Sequence, residues 1–164
     1  MAQNHVQPGG ISLRPERPED EPLLAQIYAS TREDELNLTN WDSPTRAAFL
    51  DMQFKAMLKG YRSQFAQAEF SIILSDGKPV GRMVVDRAPG EIRVVDIALL
   101  PVHCGHGIGT KLMRDIMDEA ARAGKPVRLS VFRGTRATPF YLRLGFRIVS
   151  EPDIYEEMEW NPPR

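Results

Sequence analysis

The sequence has little cysteine and no long apolar segment. Cys104 is the single cysteine among 164 residues, so no disulfide can form within the chain, which fits a reducing compartment. No run approaches the roughly 18 apolar residues of a membrane-spanning helix, and residues 1–10 lack the apolar centre of a signal peptide. We therefore expect a cytoplasmic protein without a membrane segment, in which residues 1–10 form a disordered tail.

An excess of charge of either sign is also missing. Lys and Arg number 21 against 22 Asp and Glu, which gives a formal net charge of −1. Chains that bind nucleic acid or anionic membranes through their overall charge are strongly basic. The composition therefore predicts neither partner, and its 42% of hydrophobic residues indicates one globular domain over residues 11–164.

The hydrophobic pattern of the first half predicts a strand, two helices and a group of three strands. A short strand at 11–14 precedes apolar residues at helical spacing from Leu23 to Tyr28. Ser43 and Pro44 start a second helix, with Ser43 as its cap, which should extend to about Phe65. Strands are then expected at 70–74, 80–86 and 92–100, and their short connections predict an antiparallel meander.

The second half begins with the clearest helical pattern. Apolar residues from Ile108 to Ala120 recur every four positions, and Gly124 is suited to end that helix. A whole helix separates the strand at 127–132 from the strand before it, so these two strands should be parallel. A short helix at 137–144 and a hairpin of strands at 146–149 and 155–160 complete an α+β fold, with about seven strands in a mixed, mostly antiparallel sheet and four helices.

A glycine-rich loop lies between the fourth strand and the third helix. Gly105, Gly107 and Gly109 allow a ligand to approach the backbone closely, because they carry no side chains. The helix start adds unpaired N–H donors and a positive dipole end, which suit a pyrophosphate, and Thr110 adds a hydroxyl. The loop fits neither GxGxxG nor GxxxxGK[ST], which disfavours a dinucleotide or nucleotide triphosphate site. A flexible turn without a ligand is the alternative.

Two stretches resemble the GNAT acetyltransferase family. The residues from Asp96 to Pro101, the loop to Thr110 and Leu112-Met113 are similar to L-x-V-x-P-x-x-R-G-x-G-I-G-[ST]-x-L. The stretch from Thr135 to Phe146 is similar to N-x-x-A-x-x-F-Y-x-x-x-G-F. The resemblance implies an acetyl-CoA-dependent N-acetyltransferase of GNAT-like fold, in which the splayed, parallel fourth and fifth strands form the acetyl-CoA cleft.

The resemblance also implies which residues contact acetyl-CoA, the co-substrate. They are Leu99, Leu100, Cys104, Gly105, His106, Gly107, Ile108, Gly109, Thr110 and Phe140. Two positions depart from the family pattern: Cys104 stands where Arg or Gln is usual, and Gly134 where Asn is frequent. The first departure removes a side-chain contact to phosphate, and the second affects a hydrogen bond to the arm of the coenzyme.

Acetyl transfer to an amine needs three chemical roles, because the site must deprotonate an ammonium, hold an oxyanion and protonate a departing thiolate. The resemblance assigns the oxyanion to the backbone N–H of Leu99 and the general acid to Tyr141. Asp96 and Glu91, expected on the fourth strand, are the candidates for the general base, with water as the alternative. The residues alone, without the motif, favour a core tyrosine and solvated carboxylates.

In this family the acceptor side is usually formed by the first two helices and the segment between them. Glu33 and Trp41 would receive a cationic amine there by charge and by ring face, although a solvated charged turn explains the same residues. The acceptor is expected to be the primary amine of a small molecule or a peptide. A homodimer is left open as an oligomeric state.

Four other interpretations concern the loop or the function of the whole chain. His103, Cys104 and His106 are metal-ligand types, but three neighbours in four positions do not close a tetrahedron, so no metal is predicted. Cys104 is a candidate nucleophile beside a helix start, with a small packing residue as the alternative. A non-catalytic module that binds acetyl-CoA or CoA, as a sensor or partner subunit, is the rival function, and a fold without any ligand is the third.

Overall fold

A computed structural model describes residues 10–164, except for the side chains of Asp34 and Glu35. Residues 1–9 of the predicted tail lie outside this range. Gly10, the last residue of that predicted tail, is hydrogen-bonded to Asp76 through both its N–H and its carbonyl group. None of the helices in the described range is long and apolar enough to cross a membrane.

The described residues form seven strands and four α-helices, which confirms the predicted fold class. The strands are β1 (Ile11–Pro15), β2 (Glu69–Ser75), β3 (Lys78–Arg87), β4 (Ile92–Leu99), β5 (Val127–Phe132), β6 (Arg147–Ser150) and β7 (Tyr155–Trp160). The helices are α1 (Glu21–Asn37), α2 (Ser43–Gln64), α3 (Ile108–Ala123) and α4 (Ala137–Leu144). The sheet order is β1-β2-β3-β4-β5-β7-β6, and β4 and β5 are parallel.

Contacts between residues divide the chain into two compact units. The first contains the described residues up to Met83 together with Ile97–Cys104, and the second contains Val84–Asp96 and Gly105–Arg164. The single domain expected over residues 11–164 stays a prediction.

An apolar cluster joins the helices and strands of the first unit. Leu24 and Tyr28 of α1 contact Phe54 of α2 and Ile72 of β2, and all four side chains are buried. The rings of Tyr28 and Phe54 lie 5.9 Å apart, in the range of favourable aromatic pairs. The apolar spacing that predicts the two helices therefore marks the faces that they bury.

The start of α2 differs by one residue from the prediction. The cap is Asp42, whose Oδ1 accepts a hydrogen bond of 2.8 Å from the backbone N–H of Thr45. Ser43 already belongs to the first turn, so the prediction of Ser43 as the cap was wrong. Asp and Ser are equally good caps, and proline is suited to the first turn in either register, so the sequence did not separate the two.

A buried ion pair lies between the end of β1 and the middle of β3. The side chain of Arg82 is 2% exposed, and its Nε is 3.2 Å from Oε2 of the buried Glu16. The Arg82 guanidinium also lies over the rings of Tyr61 and Phe70, at 5.8 and 5.6 Å. Arg62, which is 59% exposed, holds the other oxygen of Glu16 at 3.1 Å. Glu16 is thus the buried counter-charge of Arg82.

The second unit is built around the apolar stripe of α3. Leu112, Met113, Ile116 and Ala120 are all buried on one face of this helix. Gly124 ends α3 with a φ of 65°, and the N–H of this residue caps the carbonyl groups of the last turn. This left-handed cap is the one that the sequence predicts.

The parallel strands β4 and β5 separate soon after they meet. Ile92 pairs with Val127 and Arg93 with Arg128. Over the rest of β4 within this unit, Val94–Asp96, the described residues do not continue the parallel pairing. β5 stays paired with β7 along its whole length, to Phe132. The splay implied by the family resemblance is therefore present among the described residues, where the pairing of β5 with β4 ends at Arg128.

We predict that loss of Glu16 and loss of its exposed partner Arg62 differ strongly in their effect on stability. Glu16→Ala leaves the buried Arg82 charge uncompensated and should lower the free energy of unfolding by about 3–5 kcal/mol. Arg62→Ala removes the exposed partner and should cost only about 0–1 kcal/mol. Urea unfolding of both variants measures the difference, and equal losses would contradict the assignment of Glu16 as the essential counter-charge.

Candidate active site

The glycine-rich loop leads directly into α3 through two left-handed residues. Gly105 and Gly107 have φ angles of 79° and 82°, in a region that residues with side chains rarely adopt. Gly107 precedes the first turn, and its carbonyl group accepts a hydrogen bond from the N–H of Lys111. A Cβ at either glycine would meet nothing within 4 Å. The backbone needs glycine here, and the space beside it is open.

The first amides of α3 lack acceptors from the protein itself. No side chain caps the helix, and within residues 10–164 the N–H groups of 105–110 make no hydrogen bond to a protein acceptor. The 16 residues of α3 place a partial positive charge at the same end. Unpaired N–H donors in a positive potential favour an anion. The loop therefore fits the linked phosphates of a coenzyme.

The aromatic ring of Phe140 joins α4 to this loop. A Cβ built on Gly109 would lie 3.5 Å from Cζ of Phe140, at ordinary van der Waals distance. Ile108 is buried beneath the loop, Thr110 is half-buried, and His106 is exposed. Within the second unit, the structure thus brings together the predicted coenzyme-binding residues of α3 and α4.

The remaining predicted coenzyme-binding residues belong to the first unit. The N–H of Leu100 donates to the carbonyl group of Val80 on β3, at 2.9 Å. Successive N–H groups of an extended chain point to opposite edges, so the N–H of Leu99 is directed away from β3. The thiol of the exposed Cys104 lies 3.9 and 3.7 Å from the carbonyl oxygens of Leu99 and Leu100.

Tyr141 lies on the buried face of α4, where it is 6% exposed. Its ring meets those of Phe140 and Phe146 edge-on, at centroid distances of 5.0 and 5.5 Å. Burial raises the pKa of the Tyr141 phenol, and the negative charge of Asp96 raises this pKa further. The hydroxyl is therefore protonated at neutral pH, as a proton donor must be, and Asp96 is close enough to act on it electrostatically.

Glu91 precedes β4 instead of lying on it, which corrects its predicted position. Its Oε2 accepts a hydrogen bond from Arg93 Nε at 3.0 Å, and its Oε1 accepts one from Arg128 at 3.2 Å. Both carboxylate oxygens thus belong to ion pairs. The partner on β5 is 37 positions away in the chain, so the sequence pattern does not reveal this arrangement.

A groove of about 280 Å³ lies between α1 and α2 in the first unit. Its described lining consists of Ala29, Ser30, Glu33, Leu36, Asn37, Arg46 and Leu50. The Arg46 guanidinium donates to the Asn37 side chain and to backbone carbonyl groups of the α1–α2 connection.

The two predicted acceptor residues have different surroundings. Glu33 is an exposed part of the groove lining. Trp41 packs edge-on against Phe49, with ring centroids 5.0 Å apart, and it lies outside the described lining. The sequence reasoning missed Asn37 and Arg46, because their place in the groove depends on how α1 packs on α2.

The histidines near the loop do not form a cluster with other metal-binding residue types. Within residues 10–164, no group of three or more His, Cys, Asp or Glu side chains is arranged to hold a metal ion. His103 is half-buried in the short turn Pro101–His103, whereas Cys104 and His106 are exposed.

We predict that two neighbouring loop glycines differ in their tolerance of alanine. Gly107→Ala forces a side chain into the left-handed region and should lower the free energy of unfolding by about 1–2 kcal/mol. Gly109→Ala meets only an ordinary contact with Phe140 and, as a helical residue, should be neutral or stabilising by up to about 1 kcal/mol. Chemical unfolding measures both values, and a larger loss at Gly109 would show that the loop has a different backbone conformation.

Comparison with known proteins agrees with this geometry. The family described as "Acetyltransferase (GNAT) domain" matches residues 66–148, half of the chain. The fold is similar to that of PaiA N-acetyltransferase from Thermoplasma acidophilum in complex with coenzyme A, which is 19% identical with a TM-score of 0.68, over 92% of this chain and 98% of that one.

Two further solved structures have the same fold. Ard1 from Thermoplasma volcanium is 20% identical with a TM-score of 0.60, over 94% of this chain and 99% of that one. An acetyltransferase from Thermus thermophilus is 16% identical with a TM-score of 0.66, over 96% and 99%. Since the family match spans half of the chain and includes the glycine-rich loop and α4, this protein belongs to the GNAT acetyltransferase family and is an acyltransferase that uses acetyl-CoA.

Proposed function

We propose that this protein transfers the acetyl group of acetyl-CoA to a primary amine by direct attack in a ternary complex. The observation that carries the proposal is the set of amides at residues 105–110, which have no acceptor among the described residues. The similar structure from Thermoplasma acidophilum, which is named as a complex with coenzyme A, supports the same ligand.

In this proposal the backbone of the loop holds the pyrophosphate of the coenzyme. Cys104 supplies no cation, so the N–H groups from Gly105 to Thr110 and the dipole of α3 provide the attraction. Lys111, the nearest lysine in the chain, is paired with Asp115 at 2.8 Å. Phe140, Leu99 and Leu100 complete the proposed coenzyme contacts, and the bound coenzyme supplies an acyl group already activated as a thioester.

The proposed general acid is Tyr141. Its hydroxyl donates a hydrogen bond, and then its proton, to the departing thiolate. Burial beside Asp96 keeps the phenol protonated before each turnover. The same surroundings make proton transfer from Tyr141 to a thiolate unfavourable in free energy. The expected contribution of Tyr141 to the rate is therefore the usual one for acid catalysis, about 10²–10⁴-fold.

Asp96 is the proposed general base, directly or through a water molecule. This half-buried carboxylate lies on β4 and acts electrostatically on Tyr141. Glu91 is less suited to the role, because Arg93 and Arg128 already occupy both of its oxygens. The backbone N–H of Leu99, directed away from β3, is the proposed donor to the oxyanion.

The groove between α1 and α2 is the proposed acceptor side. Glu33 would attract the ammonium form of an amine, and the apolar Leu36 and Leu50 would contact its carbon atoms. Trp41 is not part of the described lining, so it would contact an acceptor only outside the groove. The balanced charge of the chain favours a small-molecule or peptide amine over an acceptor on nucleic acid. We also propose a cytoplasmic location and leave the homodimer as a hypothesis.

We predict that acetyl-CoA raises the melting temperature and that a panel of primary amines elicits thiol release from it. Tyr141→Phe removes only the hydroxyl and should slow this release by about 10²–10⁴-fold. Tyr155→Phe, on the exposed side of the same unit, is the matched control and should retain the wild-type rate.

Two results would contradict this proposal. Thermal stabilisation without thiol release for any amine would favour the coenzyme-binding sensor instead of the transferase. A Tyr141→Phe variant as active as Tyr155→Phe would remove Tyr141 from the mechanism.

A further inference from the structure

Glu156 is a buried carboxylate beneath the first turn of α4, and it is not among the predicted site residues. It is 6% exposed, and its Oε1 accepts a hydrogen bond of 2.6 Å from the hydroxyl of Thr138. Strand alternation places Glu156 on the same face of the sheet as the buried Met158. Glu157 and Glu159 point to the opposite face, where they pair with Arg93 and Arg128.

The other end of α4 also contacts β7. A Cβ built on Gly145, directly after the helix, would lie 3.4 Å from Cδ1 of Trp160. Seven helical residues from Thr138 to Gly145 rise by about 10 Å, and four strand residues from Glu156 to Trp160 span about 13 Å. The hydrogen bond at Glu156 and the closeness of Gly145 to Trp160 therefore place α4 along β7, with Tyr141 between these two points in the chain.

The start of α4 does not supply its own cap. Arg136, in the N-cap position, makes no side-chain hydrogen bond to the helix, and the first turn contains no acidic residue. A helix start is stabilised by a nearby negative charge. The Glu156 carboxylate provides this charge from the neighbouring strand, and the Thr138 hydroxyl ties it to the helix.

We propose that Glu156 and Thr138 form a positioning pair that sets the place of Tyr141 for acetyl transfer. Tyr141 follows Thr138 by three residues, so both side chains lie on the face of α4 that is turned toward the sheet. The inference rests on the proposed role of Tyr141 as the general acid. Glu156 would act as a positioning residue, through its hydrogen bond to Thr138, and not on the reacting atoms.

A second hydroxyl–carboxylate pair, which joins β5 to β7, offers a matched control. The Ser130 hydroxyl on β5 donates to Glu157 on β7, on the opposite face of the sheet from α4. Ser130→Ala therefore breaks a bond of the same chemistry and leaves the support of α4 in place.

The kinetic test compares Thr138→Val, Thr138→Ser and Ser130→Ala. Thr138→Val preserves the shape of the side chain and removes its donor, so kcat should fall by about tenfold to a hundredfold, as expected for a displaced catalytic group. Thr138→Ser and Ser130→Ala should keep kcat near the wild-type value. In a Tyr141→Phe background, Thr138→Val should cause little further loss of kcat. Thr138 affects kcat through the position of the Tyr141 hydroxyl, which this background lacks. Full additivity in this double-mutant cycle would overturn the inference.

A spectroscopic test does not depend on activity. The protein has four tyrosines, and labelling each ring with ¹³C at the ζ position gives one signal for each, with that of Tyr141 identified by its loss in Tyr141→Phe. Thr138→Val should shift the Tyr141 signal, and Ser130→Ala should not. If no amine is acetylated, the proposed function fails, and a shift confined to Thr138→Val still supports the positioning pair. An unmoved Tyr141 signal in Thr138→Val would overturn it.

Discussion

The constraint on which this account depends is the set of backbone N–H groups at residues 105–110, which have no acceptor among residues 10–164. They exist because Gly105 and Gly107 hold a left-handed conformation, which turns the chain sharply into α3 and leaves open space beside both glycines. Such donors are costly unless they meet solvent or an anion. The buried stripe of α3 fixes the helix against the rest of the second unit, so the donors stay in one place.

The separation of β4 from β5 is the second structural feature on which the proposed chemistry of the second unit depends. β5 pairs with β7 along its whole length, whereas its parallel pairing with β4 covers only two residue pairs among the described residues. α4 lies along β7, with Glu156 at its start and Trp160 at its end, and Tyr141 is buried between these contacts. The proposed acid and the anion-binding loop are thus held by one unit, and Phe140 connects them.

The sequence predicts this fold well where a pattern is local. The apolar stripe of α3 and its glycine cap specify that helix, and the Asp76-Gly77 pair adopts the positive φ values of 50° and 81° expected for a tight hairpin. Contacts between residues that are distant in the chain could not be predicted from the sequence. The ion pairs of Glu91 depend on the alignment of β5 beside β4, and the bond from Thr138 to Glu156 depends on how α4 lies over β7.

The most direct test of the central claim is nuclear magnetic resonance of the ¹⁵N-labelled protein with two ligands. Coenzyme A carries the pyrophosphate, whereas pantetheine has the same arm without it. The amide signals of Gly105 and Gly107 should shift with coenzyme A and stay in place with pantetheine, because only the former brings an anion to the start of α3. Binding of coenzyme A that leaves both amide signals unchanged would contradict the account.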